Sequence, residues 1–187
     1  MSPGVKNERK NAVRQTIIDT ASRLFYKQGY LNTGINQIIE ESGVVKSTLY
    51  TAFRTKEDIL MEYLVSSGAA TDAALKAAAD KGKNPKEKVL AVFDYLIDLV
   101  QGKEYYGCNF LNLISEIPVE AVRVIKQIQR QKNGVRKLFS TILESIGKED
   151  LADELYVVFE GALIANKVHQ RVWPVESARK IAEKLLS

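Results

Sequence analysis

Thr33-Gly34-Ile35-Asn36-Gln37-Ile38-Ile39-Glu40-Glu41-Ser42-Gly43-Val44-Val45-Lys46-Ser47-Thr48-Leu49-Tyr50-Thr51-Ala52-Phe53-Arg54-Thr55-Lys56-Glu57-Asp58-Ile59-Leu60 is the stretch that decides the architecture. Ile35, Ile38 and Ile39 form a short apolar stripe after Thr33, a residue type that caps helices. Ser42-Gly43 ends that helix, and a second short helix follows over residues 46–52 with Leu49 on its apolar side. Two short helices joined by a tight turn containing Gly have the geometry of a helix-turn-helix. A helix this short does not stand alone in water, so the stripe of the preceding helix must brace it. Its free face carries Lys46, Ser47, Thr48 and Thr51, while the Tyr50 phenol is long enough to reach a phosphate. Reading a major groove needs short polar groups at base edges, with cations and hydroxyls on phosphates. On spacing alone, an ordinary helical hairpin fits the same pattern.

Working outward, helical periodicity dominates. Val13, Ile17, Ala21, Leu24 and Phe25 predict a helix from about residue 11 to 28, stopped by Gly29. Thr55-Lys56-Glu57-Asp58 matches the capping box and opens a long helix reaching about Ala79. The run from Lys81 to Pro85 breaks the pattern. Further helices follow over Val89–Val100, over Phe110–Ile114 up to Pro118, from Val122 to Ile146 and from Leu151 to Val168. Pro174 starts the last helix. Since no alternating run lies between hairpin turns, the chain is expected to be all-α, with about nine helices.

Composition narrows the function. No apolar run approaches the ~20 residues of a membrane span, and the N-terminus has no signal-peptide core, so a cytoplasmic location without membrane contact is expected. A single cysteine, Cys108, excludes an internal disulfide framework. Residues 1–60 hold 9 Lys and Arg against 6 Asp and Glu, and Lys6, Arg9, Lys10 and Arg14 lead this surplus. Such an arm suits a polyanion such as DNA, and a solvated terminus accounts for it equally well. An enzyme is not expected. One His, one Cys and no Gly-rich phosphate loop leave little to build with. Asp94 with Asp98, and Asp150 with Glu154, read as solvated helix faces, and His169 near Trp173 reads as structural. No residues stand at metal-ligand spacing, so neither a cofactor nor a metal is expected.

The segment from Thr33 to Leu60, extended back through Ala21, Leu24, Phe25, Gly29 and Tyr30, resembles the signature of the TetR (tetracycline repressor) family. Ile38, Gly43-Val44, Lys46, Thr48-Leu49-Tyr50, Phe53 and Lys56-Glu57 carry the resemblance in order and spacing. It implies a three-helix DNA-binding domain over residues 1–54 and a larger helical ligand-binding and dimerisation domain over 55–187. It further implies a homodimeric repressor, released from a palindromic double-stranded DNA operator by a small-molecule effector. By that resemblance Thr33 caps the second helix and touches the DNA backbone. Lys46, Ser47 and Thr48 face the major groove, Tyr50 and Lys56 hold phosphates, and Leu49 and Phe53 are core. Two positions depart from the pattern: Val45 replaces the usual Ser or Thr cap, and Ala52 replaces a phosphate-meeting His or aromatic residue.

The remaining two-thirds of the chain is less explicit. Leu155–Ala165 is apolar nearly all round, whereas a surface helix shows one polar face. It is either a central helix of a monomer or a helix shared between its own core and a partner. Gly161, Ala162 and Ala165 permit close approach, and the resemblance favours a dimer interface containing Val158, Ala162, Ala165 and Ile181. Gly107-Cys108-Asn109-Phe110-Leu111-Asn112-Leu113-Ile114-Ser115-Glu116 looks like the Gly-Cys…Asn…Glu segment of one branch of the family, linking ligand pocket to DNA domain. Tyr95, Tyr105, Tyr106, Cys108, Phe110, Asn112 and Phe139 are the candidates for lining that pocket, although such aromatic stripes also serve as plain core. Cys108 is either a thiol sensor or a small buried hydrophobe.

Overall fold

The computed structural model describes residues 3–187, with side chains from Glu8 onward; Lys6 of the basic arm lies outside the described side chains. Among the described residues there are nine α-helices and no strand. They are α1 (Pro3–Gln28), α2 (Ile35–Ser42), α3 (Lys46–Ala52), α4 (Lys56–Ala79), α5 (Pro85–Val100), α6 (Asn109–Ile114), α7 (Val122–Leu143), α8 (Ala152–His169) and α9 (Trp173–Leu185). Two single turns of 3-10 helix, Glu144–Ile146 and Glu149–Leu151, lie between α7 and α8. Helix α1 begins well before residue 11. Its first residue is a proline, whose fixed φ suits a helix start, and its first turns carry no apolar stripe for periodicity to detect.

Helix ends follow local chemistry. Gly43 closes α2 at φ 67°, a left-handed conformation that glycine adopts without steric cost. Asn84 caps α5 by accepting the Glu87 N–H at 2.9 Å, with Pro85 at the first position. The capping box of α4 is reciprocal: the Thr55 hydroxyl accepts the Asp58 N–H and the Asp58 carboxylate accepts the Thr55 N–H, both at 3.1 Å. Neither α2 nor α3 has a side-chain cap; Gly34 and Val45 occupy those positions.

Contacts divide the chain into two compact units, residues 1–67 with 112–127, and residues 68–111 with 128–187. In the first, α2 and α3 pack on α1. Ile17, Ala21, Leu24, Phe25, Ile38, Leu49, Phe53, Leu60 and Leu64 form its interior. Phe25 meets Tyr30 and Tyr63 edge-on, with centroids 5.3 and 5.9 Å apart. In the second, α9 packs on α5 and α8 around a core centred on Phe93, Phe139 and Phe159.

The α4 cap gives a stability prediction. Thr55→Ala lowers the unfolding free energy by about 1 kcal/mol in urea denaturation. The Asp58 carboxyl is held below the usual carboxylate range, first by its hydrogen bond from Arg123 and then by those from Thr55. A depressed folded-state value stabilises above the unfolded-state pKa and is lost as pH falls through the depressed one. The stability gap between wild type and Asp58→Asn therefore closes on acidification through that value, measured by denaturation across pH.

Candidate nucleic-acid interface

Helix α3 is held from three sides within its own unit. Leu49 and Phe53 are buried beneath it. The Arg14 guanidinium lies 4.1 Å over the Phe53 ring, donates to the Ala52 carbonyl at 2.9 Å and pairs with Glu62. Arg14 thus anchors the end of α3 and is withdrawn from the basic arm. Lys56 Nζ donates to the Tyr30 and Thr33 carbonyls, each at 3.0 Å, and lies 4.1 Å from the Tyr30 ring centroid. Its pKa is lowered, mainly by burial, against the opposing pull of Glu116. The Glu116 carboxylate accepts the Leu31 N–H at 3.0 Å. Gly29 is left-handed at φ 92°, a conformation that favours glycine, and a Cβ there would lie 2.8 Å from Glu116 Oε1 and push the carboxylate aside.

Two expected roles change. Thr33 is fully buried, and its hydroxyl donates back to the Gly29 carbonyl at 2.7 Å; Gly34, not Thr33, is the N-cap of α2. Thr33 therefore braces the turn and does not cap the helix. The Lys56 ammonium, expected on a phosphate, is occupied by two backbone carbonyls and a ring.

The outer face of α3 remains open. Lys46, Ser47, Tyr50 and Thr51 are exposed and Thr48 is half-buried. The Thr51 hydroxyl donates to the Ser47 carbonyl at 2.8 Å, leaving its oxygen lone pairs outward. Arg9 and Lys10 line a shallow cleft with Thr48 and Thr51, which puts two cations beside the polar edge. Hydroxyls, an ammonium and a phenol on a braced protruding helix, flanked by cations, are the chemistry of groove reading with phosphate contacts.

Residues 17–63 match the model for bacterial regulatory proteins of the tetR family. Over that stretch the chain is similar to the tetR family of bacterial regulatory proteins. An uncharacterized HTH-type transcriptional regulator of Bacillus subtilis (strain 168), YxaF, is 39% identical over 77 residues, covering 41% of this chain and 40% of that protein. The HTH-type transcriptional repressor NemR of Escherichia coli (strain K12) is 24% identical over 88% of this chain and 89% of its own. In fold, the chain matches a TetR-family transcriptional regulator of Streptomyces coelicolor with TM-score 0.80 at 24% identity, covering 98% and 96% of the two chains. It matches the reduced form of E. coli NemR with TM-score 0.81 at 21% identity, covering 92% and 96%. These structural matches establish the all-helical fold. The relatives and neighbours are transcriptional regulators and not enzymes. No described helix is long and apolar enough to cross a membrane, and no three His, Cys, Asp or Glu side chains cluster as metal ligands among the described residues.

In the second unit, the residues expected in a pocket separate. Phe139 is fully buried and stacked on Phe93, 6.1 Å between centroids; Phe110 is buried as well. Both are core because aromatic side chains here fill the space that a cavity would need. Tyr95 packs against the same core. Tyr106 instead lines a cleft with Val100, Gln101, Tyr105, Asn166, Arg171 and Val172, among others. Asn112 falls in the first unit. Cys108 lies 3.4 Å from Lys132 Nζ, which also binds both Glu160 oxygens at 2.7 and 2.9 Å. Burial lowers the Lys132 pKa, but the Cys108 sulfur and Glu160 outweigh it, and the net shift is upward.

The residues expected at a partner surface also divide. Ala162 is buried in the core, Val158 packs against it, Ala165 is half-buried and Ile181 is exposed. The open apolar stripe of α8 is instead Val157, Gly161, Ile164 and Val168, with Val157 66% and Val168 70% exposed. All-round apolarity hides which face is free; only the packing of α8 on α9 reveals it.

Two substitutions separate the roles assigned to lysines near α3. Lys10→Ala weakens binding to every DNA sequence and reduces the slope of log affinity against log salt by about 1. Lys56→Met leaves that slope unchanged and lowers unfolding stability by about 1–3 kcal/mol, because two carbonyls lose their donor. Filter binding across salt and urea denaturation read the two effects.

Proposed function

We propose that the regulator is a repressor that holds a palindromic operator as a homodimer and releases it when a small-molecule effector enters its larger helical domain. The observation that carries this reading is the open polar edge of α3, Lys46 to Thr51, on a helix whose opposite side is anchored by Leu49, Phe53 and Arg14. Residues 1–54 serve as the DNA-binding domain and 55–187 as the ligand-binding and dimerisation domain. Lys46, Ser47, Thr48 and Thr51 meet the groove, and Tyr50 meets a phosphate. A cytoplasmic location follows from the task, since the operator is there. The repressor sign is supported by NemR, which is described as a repressor.

Dimerisation is supported by the stripe Val157, Gly161, Ile164 and Val168, joined on α9 by the exposed Ile181. Residues at these spacings share one helix face, and an apolar face of this kind marks an interaction surface. Two α3 helices set about 34 Å apart by a two-fold axis fit half-sites one DNA turn apart. The Gly107-Cys108…Asn112…Glu116 segment is the link to the effector. It starts beside Lys132 and ends at Glu116, which holds the turn after α1. Effector and operator then weaken each other by the same factor.

Selection from random duplexes tests the reading: an enriched inverted repeat whose affinity falls steeply with salt is expected, and enrichment of no sequence sinks it. Ile164→Glu yields monomers in sedimentation velocity with the helical circular dichroism retained. Ala162→Glu loses the fold itself, because it puts a carboxylate into the core.

A further inference from the structure

The second unit has a cleft of about 660 Å³ at the ends of α5 and α8, bounded by the segment 101–107 and the turn before α9. That volume lies within the range of small-molecule sites. Its walls are tied in place. Lys167 Nζ donates to the Tyr106 carbonyl at 2.6 Å, which fixes one wall to α8. The buried Asn166 amide donates to the Arg171 carbonyl at 2.8 Å and fixes the other. Between them Gln170 has φ 50°, the one non-glycine residue with positive φ among the described residues. Strained backbone of this kind clusters at ligand clamps.

The lining is chemically one-sided. It contains Lys167 and Arg171 and no carboxylate. Lys167 gives one of its three N–H donors to the Tyr106 carbonyl and keeps its charge, and no hydrogen bond or ion pair to the Arg171 guanidinium occurs among the described residues. The helix C-termini that end here would repel an anion through their carbonyls. Those carbonyls are partly closed: Gln101 and Gly102 N–H groups bond back to Asp98 and Leu99, and Gln170 N–H bonds to Asn166 at 2.7 Å. Gln101 and Gln170 also line the cleft, the Gln101 carboxamide donating to the Ile97 carbonyl at 2.8 Å, and Val100, Val172 and the tyrosines supply apolar surface. A guanidinium binds a carboxylate through two parallel hydrogen bonds, and a lining with Lys167 and Arg171 and no opposing carboxylate favours an anion.

We propose that this cleft is the effector site and that it takes an amphipathic carboxylate, its acid on Arg171 and its apolar body along Tyr106, Val100 and Val172. The proposal rests on the reading of the protein as effector-controlled. It also moves the site away from the Phe93, Phe139 and Phe159 core, where the aromatic side chains occupy one another's contact surfaces.

Calorimetric titration of the full chain with phenylbutyrate, its methyl ester and phenylbutylamine tests it. The acid binds about tenfold or more tightly than the ester or the amine. Trp173, the single tryptophan and the neighbour of Val172, changes its emission along the same binding curve. Arg171→Gln brings the acid down to the affinity of the ester, with melting temperature and operator affinity in the absence of probe unchanged. Equal binding of acid and ester by the wild type, a preference that survives Arg171→Gln, or no saturable signal from any of the three compounds overturns the carboxylate site. Operator release is read separately. An acid that binds through Arg171 and leaves operator affinity unchanged overturns the effector reading while the carboxylate site stands.

Discussion

Arg14 stacks on Phe53, bonds to the last carbonyl of α3 and pairs with Glu62, so that one guanidinium joins α1 to α4 and to α3, the helix that must present the polar edge. Seven residues of helix have too few internal hydrogen bonds to offset nucleation. Here both N-terminal caps of the helix-turn-helix are missing as well. The pair α2–α3 therefore borrows its stability from Leu49, Phe53 and Ile38 in the core and from cations that satisfy its turns. Lys56 does for the turn before α2 what Arg14 does for the end of α3. DNA reading demands an exposed polar surface, and the interior side of the same few residues has to supply all of the anchoring.

What could be read from the sequence was local. The capping box at Thr55 and Asp58 and the glycine stop at Gly43 depend on residues a few positions apart, and the structure has both; the run from Lys81 to Pro85 was read only as a break, whereas Asn84 and Pro85 start α5. The exposed edge of α3 also followed from Leu49 among polar neighbours, while the buried place of Phe53 came from the family resemblance. The brace was not legible. Arg14 meets Ala52, Lys56 meets Tyr30, and Glu116 meets Leu31, 85 positions earlier. Nothing in a window of helical periodicity distinguishes a lysine that holds carbonyls from one that faces solvent. Thr33 illustrates the same limit: its hydroxyl suits a cap, but tertiary packing turned it back onto Gly29.

In the second unit the failure had another cause. A chain rich in aromatic residues at helical spacing is compatible with a cavity wall and with a packed core, and the outcome depends on how the rings meet. Phe93, Phe139 and Phe159 meet in stacked and edge-on pairs within 6.2 Å and close the space between them. Room for a ligand appears instead where helices end and loops are tied down by Lys167 and Asn166. Charge follows the same division, since the Lys132–Glu160 pair is largely buried beside Cys108 while the Arg171 guanidinium is exposed.

The stripe of Val157, Gly161, Ile164 and Val168 bears on how much of this protein must be present for any of it to persist. Were that face buried in the proposed dimer, folding would be linked to mass action and the midpoint of thermal melting would rise with protein concentration. A dilute protomer keeps its fold but leaves water against valine and isoleucine, and other apolar surfaces compete for that place. Low abundance would then limit the regulator twice, through scarce pairs and through loss of the unpaired chain to adhesion.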